Sequence, residues 1–131
     1  MTREELIELA YRVEALAGPD RKIMEECYRA VNDRRLFDAP SSPTFSETYE
    51  RWCRFKSFLN SEAWESAAMS LVPEGYSWTL GQNVHHGHWL CSINYVNHEG
   101  EPTCIADSGH RKSPALALTS AALRARVEQM L

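Results

Sequence analysis

The side chains best equipped for chemistry are gathered in His85-His86-Gly87-His88, with His98 and His110 further along the chain. On a β-strand, His86 and His88 project from one face about 7 Å apart, close enough to share a divalent metal if a third ligand converges. Asp107, His110 and Cys104 are the candidates for that third position, and a metal held there would activate water for hydrolysis. The spacing lacks a dedicated signature such as His-Glu-x-x-His, so the plainer reading is a polar strand face ending in a turn, with no cofactor.

Asp107-Ser108-Gly109-His110 places a carboxylate, a hydroxyl and an imidazole in one short segment. Sequence neighbours seldom have nucleophile-to-base geometry, because a triad is assembled from separate segments and a nucleophile elbow needs Gly-x-Ser-x-Gly. The segment therefore reads as a loop feeding the last helix. Cys27, Cys53, Cys91 and Cys104 show no Cys-x-x-Cys spacing, no regular framework and no local sign of an activated thiolate.

A third constellation is basic and aromatic. Arg51, Arg54 and Lys56 interleave with Tyr49, Trp52 and Phe55, and Arg34-Arg35 and Arg111-Lys112 form further positive clusters. If the Trp52 segment packs near Arg111 and Lys112, then Tyr49, Trp52, Arg54, Lys56, Arg111 and Lys112 form a pocket for a nucleotide or an acidic partner. Aromatic and arginine side chains are also the usual composition of protein-binding hot spots. The plainer alternative is a solvated surface with ordinary ion pairs.

The chain has 131 residues, 44% hydrophobic and 24% charged, the proportions of a globular protein. At that length about two-thirds of the unfolded surface can be buried, so residues 1–131 read as a single domain. A net charge of −4 withholds the basic excess that drives phosphate-backbone binding, making nucleic acid an unlikely partner. No apolar run reaches the ~20 residues that span a bilayer, and no leader precedes the cysteines. A reducing cytoplasm, that of a host cell, is the expected location.

The elements that must position these groups follow from capping and periodicity. Thr2 and Glu5 form a capping box, after which Leu6, Leu9, Ala10, Val13, Leu16 and Ala17 recur at helical spacing. Gly18 and Pro19 are expected to stop that helix, and Asp20 to cap a second carrying Ile23, Met24, Cys27, Tyr28 and Val31. The short connection favours an antiparallel helical hairpin. Asn32 to Pro43 reads as a loop, and Thr44 to Asn60 as helix or irregular structure, with Trp52-Cys53-Arg54-Phe55 open to a short strand.

Asn60 or Ser61 is expected to cap the next helix, which carries Trp64, Ala67, Ala68 and Leu71. Tyr76, Trp78 and Leu80 then alternate as a strand, with Gly81-Gln82-Asn83 as the first hairpin turn. In the following strand Trp89, Cys91, Ile93 and Tyr95 face one way, and His86, His88, Leu90, Ser92 and Asn94 the other. A turn at Asn97 to Gly100 leads to a third strand near Thr103 to Ala106. Ser113 and Pro114 open a last helix with the stripe Leu116, Ser120, Leu123, Val127 and Met130. The predicted fold is α/β of the α+β kind: a single-domain α-β-α sandwich with helices on both faces of a small three-stranded antiparallel sheet.

Leu6-Ile7-Glu8-Leu9-Ala10, Glu14 to Arg21, the junction Ala67 to Trp78, and Pro114 to Leu118 with Ala121 to Arg126 resemble proteins carrying the phage ABA sandwich domain. The resemblance covers the N-terminal hairpin and most of the second half. It does not cover residues 32–60, a variable insertion, and it departs from the pattern at Trp64-Glu65-Ser66. It implies a bacteriophage or prophage origin and layers of helix, sheet and helix, but no activity and no catalytic residues.

The expected function is a non-enzymatic accessory protein that binds a host protein or sequesters a small molecule, such as a host-defence antagonist. The alternatives are a metal-dependent hydrolase built on the His/Asp residues and a phage structural component. An uncovered edge of so small a sheet would favour a homo-oligomer.

Overall fold

The computed structural model describes residues 2–32, 45–83, 87–96 and 99–130. Helix α1 spans Arg3–Glu14 and opens with the expected capping box: Glu5 donates its backbone N–H to Thr2 Oγ1, and Thr2 donates its own to Glu5 Oε2. It ends before Leu16 and Ala17. The Ala15 N–H donates to the Tyr11 carbonyl and the Leu16 N–H to the Val13 carbonyl, so the helix closes without a left-handed glycine, and Gly18 is not among the residues of positive φ.

Helix α2, Arg21–Val31, begins at Asp20, whose Oδ1 accepts from the Ile23 N–H at 2.9 Å, and it buries Met24, Cys27 and Tyr28. Helix α3, Phe45–Asn60, resolves the ambiguous segment. Phe55 and Leu59 are buried and Trp52 and Phe58 pack against the core. A spacing of three, four and seven residues fits one helical face, and it overturns the alternative of a strand at Trp52 to Phe55.

Helix α4, Trp64–Met69, is capped by neither Asn60 nor Ser61. The Ser61 hydroxyl points back to the Ser57 and Phe58 carbonyls and finishes α3. Glu62, at φ 57°, turns the chain, and the Ala63 N–H closes the turn on the Phe58 carbonyl at 2.8 Å.

The sheet is an antiparallel meander of β1 (Ser77–Asn83), β2 (His88–Val96) and β3 (Pro102–Asp107), in the order β1-β2-β3. Trp78 opposes Ile93 and Leu80 opposes Cys91, which keeps the apolar alternation on one face. Gly81, Gln82 and Asn83 are not the hairpin turn: they continue β1 and pair with Leu90, Trp89 and His88. A register shift between Ile93 and Asn94 bends the pairing with β3.

Helix α5, Pro114–Gln129, begins at Ser113, which accepts from the Leu116 N–H at 3.1 Å. Its burial is wider than the expected stripe. Every residue from Ala115 to Leu123 is buried, as are Ala125 and Val127, whereas Met130 is exposed. The reason is position: α5 meets β2 and β3 on one side and α1 and α4 on others, so it has almost no solvent face. Buried Ala117, Ala121, Ala122 and Ala125 let these neighbours approach closely.

The α+β class, the N-terminal helices, the C-terminal helix and the three-stranded antiparallel sheet agree with the sequence reading. The layers place α5 in the middle. Its extensive contacts are the ones through which helices cover the sheet, and that cover lies on the Cys91 and Ile93 face. On the opposite face Ser77, Thr79 and Leu90 are exposed, because those positions are mostly polar and carry no packing stripe. No helix among the described residues is long and apolar enough to cross a membrane.

Candidate functional site

Of the histidine constellation, His88 and His110 are the members among the described residues, and His88 stands on the outer face of the sheet. His88 opens β2, and its ring lies 6.1 Å from that of His110, centroid to centroid. Asp107, at the end of β3, turns inward on its own loop, where its Oδ1 accepts from the Gly109 N–H at 3.0 Å. His86 lies outside the described residues. Among the described residues, no three His, Cys, Asp or Glu side chains are grouped to hold a metal. Ser108 is buried and structural: its hydroxyl accepts from the Cys91 N–H at 2.9 Å and donates to the Gly109 carbonyl at 2.6 Å.

The basic and aromatic residues separate into two groups. Trp52 and Lys56 come together on α3 beside α2. Trp52 lies 5.3 Å from Tyr28 and 6.0 Å from Phe55, ring to ring, and the Arg29 and Lys56 cations sit 5.0 and 5.4 Å from its centroid. Lys56 also reaches Glu25 at 2.7 Å, and that hydrogen bond, aided by Arg21, holds the Glu25 carboxyl below its usual range despite partial burial.

Arg111 is engaged elsewhere. Its backbone exchanges two hydrogen bonds with Trp89, and its guanidinium donates to the Ser108 carbonyl at 2.6 Å and the Glu14 carbonyl at 3.4 Å. It therefore fastens the loop before α5 to the end of α1. Lys112, next to it, is exposed, and so are Tyr49 and Arg54 on α3.

Arg54 opens onto a cleft of about 470 Å³ between α2, α3, the turn after α4 and the C-terminal half of α5. Tyr28, Arg51, Arg54, Ser70, Glu74 and Arg126 line it. Arg51 and Arg54 stand one turn apart and so share a helix face. Arg126 is half-buried, and its guanidinium donates to the Leu71 carbonyl at 3.2 and 3.4 Å. Burial lowers its pKa from the ordinary arginine value, yet a guanidinium stays protonated at neutral pH.

Three arginines face one carboxylate in this lining, a surplus of two positive charges. The ion pairs of the described residues are made by other side chains, and none uses Arg51, Arg54 or Arg126. Tyr28, buried against Phe55 at 4.3 Å, is the rigid wall; burial raises its phenol pKa and the nearby Arg51 charge partly offsets the rise.

The sequence reading singles out Arg54 but not Arg126, and it does not join Arg51 to it. The available signal was Arg126 itself, a cation set among Ala125, Val127 and other buried residues, where a guanidinium needs a purpose. Comparison of the chain with models of known families, with curated proteins and with solved structures finds no match.

Proposed function

We propose that this chain is a non-enzymatic binding module, a phage or prophage accessory protein that sequesters a small negatively charged molecule in the host cytoplasm. The observation that supports it is Arg126: a half-buried guanidinium whose acceptor among the described residues is a single carbonyl, lining a cleft of ligand size together with two further arginines. Like charges gathered around one cleft repel one another, and an anion entering between them relieves that repulsion. Guanidinium groups bind and orient but do not exchange protons at neutral pH, so this lining suits capture better than turnover. The phage context is carried by the resemblance of the N-terminal and C-terminal segments.

A host protein is the second reading, supported by Tyr49, 54% exposed on the same helix as Arg54. The test is thermal unfolding against a panel of small anions and neutral compounds of equal size. Anions should raise the midpoint of the wild type and leave an Arg54→Glu variant unmoved. Equal shifts in both proteins would refute capture in the cleft.

A further inference from the structure

Building on that reading, we infer that the cleft takes a phosphate monoester, its terminal dianion held by Arg51, Arg54 and Arg126. Charge is the first argument. Three cations against Glu74 leave a surplus of two, which a dianion neutralises and a monoanion does not. A phosphate monoester carries about −1.5 to −2 charges at neutral pH.

Shape is the second. Arg51 and Arg54 reach the cleft from one face of α3, and Arg126 reaches it from α5. Guanidinium forks arriving from two elements suit a tetrahedral group with oxygens on several sides, whereas one planar carboxylate is satisfied by a single fork. The Leu71 carbonyl accepts from Nε and Nη2 of Arg126 and holds that side chain, so little rotamer freedom is left to lose on binding.

Size is the third. A cleft of about 470 Å³ has room beyond a bare phosphate for the organic part of the ester, against the Tyr28 wall. A small phosphorylated metabolite or nucleotide therefore fits better than inorganic phosphate alone.

The experiment is calorimetric titration of the full chain at low salt with adenosine 5′-monophosphate, its phosphate methyl ester, adenosine and succinate, used as probes of charge and shape. The monophosphate should bind, the methyl ester and succinate at least about tenfold more weakly, and adenosine not measurably. Arg126→Gln and Arg54→Gln should each weaken the monophosphate by about tenfold or more. If Arg126→Gln fails to fold, Arg54→Gln decides. Succinate or the methyl ester binding as tightly as the monophosphate, or Arg54→Gln binding it like the wild type, would overturn the phosphate assignment. Succinate binding in the absence of monophosphate binding would leave anion capture standing, whereas no binding of either anion would remove both readings.

Discussion

Glu14, the last residue of α1, grips Arg124 of α5 with both carboxylate oxygens: Arg124 Nη2 donates to Oε1 at 2.8 Å and Nε to Oε2 at 3.1 Å. The Ser120 hydroxyl donates to the same Oε2 at 2.5 Å, and the Tyr11 ring lies 4.8 Å from the guanidinium carbon. This fork ties the first helix to the central one and sets the position of the whole N-terminal layer. Replacing Glu14 by Ala leaves Arg124 without its carboxylate partner in a half-buried setting. The expected cost is about 2 kcal/mol, read from urea unfolding midpoints at neutral pH. A change within about 0.5 kcal/mol would mean that the fork is a surface pair of little weight.

The same carboxylate gives stability a pH dependence. Burial alone would raise the Glu14 pKa, but the hydrogen bonds from Arg124 and Ser120 and the charges of Arg124 and Arg111 together lower it. Glu25 is lowered as well, first by Lys56. Groups whose folded pKa is depressed stabilise the fold above the ordinary carboxylate value of about 4.3, and that contribution is lost as pH falls through the folded pKa. Unfolding midpoints should hold from neutral pH down to about pH 5 and decline below about pH 4, less steeply in Glu14→Gln. A Glu14→Gln profile parallel to the wild type would show that Glu14 is not a source of the acid sensitivity.

Local chemistry explains what could be read in advance. Thr2 with Glu5, Asp20, and Ser113 with Pro114 announce helix starts because capping is decided by neighbouring residues. The alternation from Trp89 to Tyr95 announces β2 and its inner face for the same reason. The all-round burial of α5 was legible only in part. Ala115-Leu116-Ala117-Leu118 and Ala121-Ala122-Leu123 are apolar on every side, but a stripe drawn at one face omits the sheet that takes the other. The cleft was the least legible feature. Arg51 and Arg126 are distant in sequence, and only the tertiary fold sets them with Tyr28 on one lining.

The thiols divide by environment. Burial pushes Cys27 up to about 12 and Cys91 up to about 11, while Cys53 and Cys104 are exposed. Because the thiolate is the reactive form, a disulfide reagent at mildly alkaline pH should modify Cys53 and Cys104 quickly in the folded protein. Cys27 and Cys91 should follow only after denaturant is added. Rapid modification of Cys27 without denaturant would show that α2 opens on the timescale of the reaction.

Trp52 is a packing residue as much as a surface one, since its ring rests on Tyr28 and Phe55 beneath two cations. Trp52→Ala should therefore destabilise the fold by about 2 to 4 kcal/mol, a loss visible in the denaturant midpoint before any binding is measured. Arg54→Ala, at an exposed position, should stay within about 0.5 kcal/mol of the wild type. Equal stability of the two variants would contradict the packing role of Trp52.

The most direct test of the anion-capture account is residue-resolved: backbone amide NMR spectra recorded during titration with adenosine 5′-monophosphate. The account predicts saturable shifts concentrated around Tyr28, Arg51, Arg54, Leu71 and Arg126, with the outer face of the sheet around His88 and His110 unmoved. Shifts centred on that outer face, or no saturable shifts anywhere, would contradict it.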